Sequence, residues 1–252
     1  MEEDRYIRQS TLAQIGPQGQ QLIGQARVAV IGLGALGSAA AELLARAGVG
    51  FLRLVDRDQI SLSNLQRCLM YTQKDAEQSV YKATAAKRCI TEINPEITVE
   101  ALVVDIDASN IESLIADVDY VLDGTDNFKI RYLINEACHK HRKTWIYTGV
   151  LASYGVTMVI PPQGPCFKCL CPTPPGSGKN LTCVDVGILS SITVTMASLE
   201  VAAVLKLIVG NPVEPGRYLT VDVWEATCDE QQILQTPTCP CCVEEAYEYL
   251  PH

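Results

Sequence analysis

A glycine-rich turn near the N-terminus places the strongest constraint on the fold. The apolar, β-branched run Arg27–Ile31 leads into Gly-Leu-Gly-Ala-Leu-Gly at residues 32–37, and the alanine-rich stretch Ala35–Ala47 follows. A second apolar run, Phe51–Val55, ends at Asp56. Strand, glycine turn, helix and strand make a βαβ unit, and two neighbouring strands joined by a crossover helix are parallel.

The glycine pattern also indicates a bound anion. Gly32, Gly34 and Gly37 form G-x-G-x-x-G after a predicted strand and at the start of a predicted helix. Glycines let a phosphate approach the backbone closely, and the unpaired N–H groups of a helix N-terminus favour negative charge. Asp56 is suited to accept hydrogen bonds from ribose hydroxyls. We expect a bound nucleotide; the alternative is a glycine turn that only packs helix against strand.

The same alternation continues along the chain. Helices are predicted over residues 81–93 and 129–141, and strands over residues 98–104, 119–122, 145–148, 218–223 and 231–234. The apolar stretch 188–209 contains polar and charged residues, which predicts a buried helix and no membrane span. This rhythm predicts one α/β domain, Rossmann-like and doubly wound, whose mainly parallel sheet has a C-terminal antiparallel extension.

Cysteines and prolines set the last third of the chain apart. Residues 161–187 carry six prolines between positions 161 and 175, so we expect a long irregular loop that is functional or held by a ligand. Two C-x-x-C pairs, Cys166 with Cys169 and Cys239 with Cys242, can supply four thiolates. A closed four-thiolate site selects zinc, and an iron–sulfur cluster is the lesser alternative. Cys171 and Cys241 offer adjacent C-x-C spacings, which leaves the choice of ligands open.

The net charge and the N-terminal residues indicate which partners and which cellular compartment to expect. The formal net charge is −9, so we expect the chain to repel nucleic acid. The N-terminus is acidic and polar, unlike a secretory signal, and eleven cysteines in such a chain favour metal binding, catalysis or free thiols over disulfides. We expect a cytoplasmic protein.

Further polar side chains follow the predicted strands, where open α/β sheets bind ligands. They are Asp58, Asn64, Arg67, Lys82 and Asp126. Two cations and an extra carboxylate suit phosphoryl or nucleotidyl transfer with magnesium, whereas a nicotinamide dehydrogenase has little use for them. Arg67 and Lys82 as surface charges, and Asp126-Asn127 as a helix cap, are the alternatives.

Several motifs occur in a recognisable order. They are residues 5–9 (Arg-Tyr-Ile-Arg-Gln), the glycine turn, residues 56–58 (Asp-Arg-Asp), residues 63–67 (Ser-Asn-Leu-Gln-Arg), Lys82 and residues 123–127 (Asp-Gly-Thr-Asp-Asn). With the paired C-x-x-C motifs, this order resembles the ThiF/MoeB/HesA family, bacterial relatives of the ubiquitin-activating enzymes, over nearly the whole chain. The resemblance implies ATP-dependent adenylation of the C-terminal Gly-Gly carboxylate of a ubiquitin-like sulfur-carrier protein (ThiS- or MoaD-like), with release of pyrophosphate.

The resemblance also implies roles for individual residues. Asp56 would bind the ribose, Arg67 and Lys82 the phosphates, and Asp126 the magnesium ion, with Asp58, Asn64 and Asn127 beside the nucleotide. Arg8 resembles an arginine that reaches the ATP phosphates from the neighbouring subunit of a homodimer. The equally spaced set Cys166, Cys169, Cys239 and Cys242 would bind zinc. Cys183 resembles a crossover-loop cysteine that takes the activated carrier covalently in some members, with an additional or structural thiol as the alternative.

A family-like organisation follows from these assignments. Residues 1–25 would form an N-terminal helical arm, residues 26–160 the nucleotide-binding core, and residues 161–252 the crossover loop, buried helix and zinc-bound tail. A cysteine desulfurase or rhodanese would donate the sulfur, in thiamine or molybdenum cofactor synthesis. A nicotinamide-dependent oxidoreductase and a non-catalytic scaffold held together by zinc remain the competing interpretations.

Overall fold

One mixed sheet organises the molecule. The structure, a computed structural model, describes residues 4–174 and 183–250. Eight strands pair in the order β3-β2-β1-β4-β5-β6-β7-β8. Their bounds are Arg27–Ile31 (β1), Phe51–Val55 (β2), Thr98–Leu102 (β3), Tyr120–Asp123 (β4), Thr144–Leu151 (β5), Tyr154–Ile160 (β6), Arg217–Asp222 (β7) and Thr227–Gln232 (β8). The four pairings among β1 to β5 are parallel, and the pairings of β5 with β6, β6 with β7 and β7 with β8 are antiparallel. The predicted parallel sheet with an antiparallel extension is confirmed.

Helices cover both faces of this sheet. They span Ile7–Ser10 (α1), Gly16–Gln25 (α2), Ala35–Ala47 (α3), Gln73–Glu77 (α4), Lys82–Ile93 (α5), Ile111–Ile115 (α6), Phe128–Lys140 (α7), Phe167–Leu170 (α8), Cys183–Val186 (α9) and Ser190–Ile208 (α10). Residues of α3, α5 and α10 belong to one hydrophobic core, and residues of α6, α7 and α8 belong to a second core. Two cores on opposite faces of a largely parallel sheet make a doubly wound fold.

The βαβ unit has the bounds that its sequence predicts. Helix α3 begins after Gly34, which has an extended conformation, and ends at Gly48, whose φ of 83° lies in the left-handed region. A glycine there terminates a helix without the steric cost that a Cβ would add. The strands β1 and β2 are buried at four of their five positions each. Near-continuous burial is typical of parallel strands covered on both faces.

Three parts of the chain differ from the sequence-based expectation, the first being the last strand, which was expected over residues 231–234 and spans Thr227–Gln232. Strand β6 was not predicted, and it forms a hairpin with β5 in which Leu151 pairs with Tyr154. The proline-rich segment was expected to be irregular throughout, but it contains the one-turn helix α8, Phe167–Leu170. That turn is possible because the prolines lie on either side of it and none lies within it.

Helix α10 is the long apolar helix predicted from residues 188–209. It is long and apolar enough to cross a membrane by length and composition alone, and it packs against α3, β5 and β6. Its burial is one-sided, since Ser191, Ser198 and Ala202 are exposed. On the buried side Glu200 is completely inaccessible to solvent.

Glu200 is a buried acid for which no positively charged partner is found among the described residues. Neither of its carboxyl oxygens makes a well-aligned hydrogen bond in the part of the chain that the structure describes. Thr148 and the backbone of Asp123 lie beside it, but burial dominates and raises the pKa of Glu200 well above its usual value.

The far edge of the antiparallel extension is open to solvent. Strand β8 is exposed at all six positions and pairs only with β7 among the described strands. Trp224, in the turn between these two strands, has 75% of its surface exposed.

Candidate active site and metal centre

The carboxyl ends of β1, β2 and β4 meet at one edge of the sheet. The glycine turn follows β1, Asp56 follows β2, and the segment 124–127 follows β4. Because β1 lies between β2 and β4, the three connections are neighbours. This is the position at which open α/β sheets bind ligands.

Three glycines bring two of these connections into backbone contact. A Cβ on Gly37 would lie 1.9 Å from the carbonyl oxygen of Gly32, and one on Gly124 would lie 2.2 Å from the same oxygen. Gly32 has a φ of 86°, which a side chain would strain. A Cβ on Gly34 would meet nothing nearer than 4.0 Å, so the space beside this glycine is open. Packing explains Gly32, Gly37 and Gly124, whereas Gly34 leaves room for a ligand.

Asp56 is tied into the base of the glycine turn. Its Oδ2 accepts a hydrogen bond from the backbone N–H of Leu33 at 2.7 Å, and its Oδ1 accepts one from the N–H of Asp58 at 2.7 Å. Burial raises the pKa of Asp56, and Lys82 together with these N–H groups partly offsets the rise. A carboxylate has about four lone-pair positions, so two remain for a hydroxyl ligand.

Lys82 lies at the first position of α5, facing Asp56 and Asp58. Its Nζ is 2.8 Å from Oδ2 of Asp58 and 4.0 Å from Oδ2 of Asp56. The lysine side chain is largely buried while the Asp58 side chain is 56% exposed. A buried ammonium beside the glycine turn is not a freely solvated surface charge. Burial therefore argues against the alternative interpretation of Lys82.

Asn64 and Arg67 belong to a short 3-10 turn, Leu62–Asn64, and the residues after it. The Asn64 Oδ1 accepts from the N–H of Ser61 at 3.0 Å, which caps the turn. Arg67 is partly exposed, and its Nη1 donates to the carbonyl oxygen of Ser63 at 2.8 Å. Asn64 thus has a structural use, while the guanidinium of Arg67 retains donors for a ligand.

The segment 124–127 holds Asp126 at the start of α7. Asn127 caps this helix, because its Oδ1 accepts from the N–H groups of Lys129 at 2.9 Å and Ile130 at 3.4 Å. The capping alternative therefore accounts for Asn127. Asp126 is exposed, and its carboxylate is available to a hard cation, which prefers oxygen ligands.

Arg8 does not join the other predicted site residues of its own chain. Its neighbour Gln9 donates to the carbonyl oxygen of Ala47 at 2.8 Å, and the ring of Tyr6 packs on Gly48. Both contacts are at the C-terminal end of α3, whereas the glycine turn is at its N-terminal end. A helix of 13 residues is about 20 Å long, farther than an arginine side chain reaches.

The four predicted zinc ligands converge. The sulfurs of Cys166 and Cys239 are 3.6 Å apart, those of Cys169 and Cys242 are 3.5 Å apart, and all four lie within 4.8 Å of one another. Tetrahedral zinc with bonds of ~2.3 Å separates its sulfurs by about 3.8 Å, so the four thiols fit this ion. The backbone N–H of Thr236 donates to the Cys169 sulfur at 3.4 Å, which favours a thiolate.

The remaining cysteines of this region have other contacts. Cys241 is completely buried, and its sulfur accepts a hydrogen bond from the Asn135 amide at 3.1 Å. The Asn135 Oδ1 accepts from the N–H of Phe167 at 2.8 Å, so this side chain joins α7 to both halves of the cluster. The Cys171 sulfur contacts the carbonyl oxygen of Thr173 at 3.5 Å. These contacts favour the equally spaced set of ligands.

Cys183 begins helix α9, but its side chain lies outside the described residues. Its predicted role therefore stays a prediction.

Residues that sequence reasoning gave no role also support the site. The Tyr71 hydroxyl donates to the carbonyl oxygen of Leu33 at 2.6 Å and so fixes the glycine turn from beneath. Asp123 and Arg131 are buried and form an ion pair of 2.9 Å under segment 124–127. No local sequence pattern indicates this pair, because Asp123 ends β4 while Arg131 lies in α7 and only the fold brings them together.

Comparison with known proteins agrees with this architecture. The sequence matches the ThiF family model over residues 6–241. It is 39% identical over 249 residues to a Bacillus subtilis protein named sulfur carrier protein ThiS adenylyltransferase, covering 98% of this chain and 73% of that one. It is 34% identical over 252 residues to a Thermus thermophilus sulfur carrier protein adenylyltransferase, covering 97% of this chain and 92% of the relative.

Solved structures share the fold at lower identity. The crystal structure of E. coli MccB with ATP superimposes with a TM-score of 0.82 at 23% identity, covering 96% of this chain and 75% of MccB. The motif order, the sheet topology and the match to most of the sequence agree, and the chain belongs to the ThiF family.

Proposed function

We propose that this chain, a nucleotidyltransferase by family, adenylates the C-terminal Gly-Gly carboxylate of a ubiquitin-like sulfur-carrier protein in thiamine or molybdenum cofactor sulfur transfer. One observation carries the proposal: the open space at Gly34, the buried ammonium of Lys82 and the exposed carboxylate of Asp126 lie on connections at one edge of the sheet. That edge offers a phosphate cradle, a cation and a ligand for magnesium. The names of the Bacillus and Thermus relatives support the same reaction class.

The proposed reaction needs positioning and charge neutralisation more than proton transfer. A carboxylate oxygen of the carrier attacks the α-phosphorus of ATP, the bond from that phosphorus to the bridging oxygen breaks, and pyrophosphate leaves. The nucleophile is already ionised at pH 7, so no general base is required. Lys82 and Arg67 stabilise charge on the phosphates, and Asp56 orients the ribose.

Asp126 would hold magnesium. An exposed carboxylate on a short, capped segment suits a hard cation that keeps several of its own waters. Bound magnesium would neutralise phosphate charge. Asp58 pairs with Lys82, Asn64 caps its turn and Asn127 caps α7, and all three would contribute by shaping the nucleotide site.

A nicotinamide oxidoreductase fits the same edge less well. The glycine turn and Asp56 serve either cofactor, but Arg67, Lys82 and Asp126 have no assigned task in hydride transfer. A non-catalytic scaffold leaves all of these charges without a purpose.

The active unit is proposed to be a homodimer. Arg8 lies about one helix length from the glycine turn of its own chain, so it can serve the phosphates only when a second copy supplies it. The far position of Arg8 supports this sharing.

The zinc is proposed to be structural. Four cysteine ligands leave no coordination position for water or substrate. The metal would join the segment after β6 to the C-terminal tail.

Cys183 is proposed to take the activated carrier covalently. A cysteine desulfurase or rhodanese is the proposed sulfur donor, and we place the pathway in the cytoplasm.

A carrier-dependent ATP–pyrophosphate exchange assay tests the proposal. ThiS-like and MoaD-like carriers ending in Gly-Gly serve as two arms, and carriers lacking the last glycine are the matched controls. We expect exchange with one intact carrier, none with its truncated form, and a loss of about 10²–10³-fold in Lys82→Ala. Exchange with neither carrier, or exchange that ignores the truncation, would contradict the proposal. The arm that responds identifies the pathway.

A further inference from the structure

Segment 124–127 presents one exposed side chain, Asp126, that makes no hydrogen bond to the described residues. Gly124 has none and contacts the glycine turn, Thr125 is bonded to Asp123, and Asn127 caps α7. The exposed carboxylate of Asp126 lies between Thr125 and Asn127, both of which are fixed. Its position is therefore set by whatever holds Thr125 and Asn127.

Thr125 is held through its amide, hydroxyl and carbonyl groups. The Oδ1 of Asp123 accepts from the Thr125 N–H at 2.8 Å and from its Oγ1 at 2.7 Å. Arg131 completes the contact, since its Nη2 donates to the Thr125 carbonyl oxygen at 2.6 Å. The Nε of Arg131 donates to Oδ2 of Asp123 at 2.9 Å, and its Nη2 also approaches the carbonyl oxygen of Thr148 at 3.4 Å.

The ion pair beneath this segment is deeply buried. Asp123 is inaccessible to solvent and Arg131 is 7% exposed. Burial is the largest influence on Arg131 and disfavours the charged guanidinium, but the attraction of Asp123, Tyr147 and Asp126 together exceeds it and raises the pKa of Arg131. A buried ion pair is a poor source of stability, because desolvation offsets most of its attraction. A role specific to the Thr125 backbone explains these two charges better than stability does.

We propose that Asp123 and Arg131 are positioning residues that aim Asp126 at the magnesium ion of the nucleotide. The inference rests on the proposed function, in which Asp126 binds that ion. Neither positioning residue needs to touch the ion or the nucleotide. They act by fixing the backbone immediately before Asp126, as groups behind a metal ligand do when they orient it.

A second buried arginine provides a matched control. Arg53, on β2, is 8% exposed, and its guanidinium bonds to Glu100, Asp117 and the carbonyl oxygen of Leu114. Asp117 precedes β4, whereas the segment of Asp126 follows it. The ion pair of Arg53 therefore lies toward the amino end of β4, and that of Arg131 lies at its carboxyl end. Arg53→Lys and Arg131→Lys therefore make the same chemical change toward opposite ends of the parallel strands.

Calorimetry of ATP binding to the full chain separates positioning from stability. The affinity for ATP is measured with and without Mg²⁺, and the ratio of the two affinities reports how much the metal contributes. We expect Arg131→Lys to reduce this ratio by about 10-fold, toward the value of Asp126→Asn, while Arg53→Lys leaves it unchanged. Melting temperatures should fall in both lysine variants.

Two further variants keep the inference falsifiable. Thr125→Val removes only the hydroxyl bond to Asp123, so it should fold and should reduce the ratio in the same direction. In the Asp126→Asn background, Arg131→Lys should add nothing to the loss. An unchanged ratio in both Arg131→Lys and Thr125→Val, with lowered melting temperatures, would overturn the positioning role. Because no carrier is present, this outcome is independent of whether the exchange assay succeeds.

Discussion

Glu200 makes the stability of this protein depend on pH in a direction that can be calculated. The side chain is fully buried, and burial raises its pKa well above the ordinary value of 4.5. The folded chain therefore keeps Glu200 protonated at pH values where the unfolded chain releases the proton. Folding binds a proton in that interval, so stability falls as pH rises.

The slope follows from linkage. One bound proton changes the free energy of unfolding by about 1.4 kcal/mol per pH unit between the unfolded and the folded pKa. Below the pKa that Glu200 has in the unfolded chain, this slope is zero, because Glu200 is protonated in both the folded and the unfolded state. For a chain of this size, each 1 kcal/mol corresponds to about 2–4 °C in melting temperature.

Urea denaturation at fixed protein concentration between pH 5.5 and 7.5 measures the slope. In Glu200→Gln we expect the stability to fall with pH less steeply than in the wild type, by at most about 1.4 kcal/mol per pH unit. The amide is uncharged in both states, so only the slope, and not the absolute stability, tests the reasoning. Glu77→Gln, at an exposed glutamate of α4, is the matched control and should retain the wild-type slope. Parallel curves for wild type and Glu200→Gln would refute the argument.

The metal centre, the dimer and the crossover cysteine lead to further expectations. Cys169→Ser should lower zinc content and melting temperature together, whereas Cys241→Ser should keep one zinc per chain; loss of zinc in Cys241→Ser would make Cys241 a ligand. Mixed Arg8→Ala and Asp126→Ala subunits, each inactive alone, should recover exchange through heterodimers, and no recovery despite proven subunit exchange would contradict sharing. Cys183→Ser should retain ATP–pyrophosphate exchange but lose any thiol-sensitive adduct with the carrier; collapse of exchange in a folded variant would place Cys183 in the adenylation site instead.

The fold was predictable where local chemistry and tertiary packing agree. The bounds of β1, α3 and β2 follow from apolar runs interrupted by glycines that the backbone requires. Strand β6 was missed because its hairpin with β5 turns at Ala152, which adopts a φ of 53°. Glycine, asparagine or aspartate usually marks such a turn, so alanine gave no signal.

The sequence drew attention to the residues proposed to bind ligands, but not to the residues that support them. Lys82 and the cysteine pairs carry chemistry that residue type and spacing reveal. Asp123 and Arg131 act through a backbone segment that only the fold brings between them, and a buried ion pair has no sequence signature of its own. Arg8 shows the opposite limit, since the role proposed for it depends on a second copy of the chain.

The open edge of the sheet has a consequence for aggregation. Among the described strands β8 pairs only with β7, so its other side has no strand partner there, and such an edge can recruit another copy of the same strand. Its six residues include no large apolar side chain that could form a dry interface between stacked sheets. In-register parallel pairing would place Asp229 against Asp229, where like charges repel. Strand β8 is short, polar and acidic, and these properties disfavour fibril growth by pairing along this outermost strand.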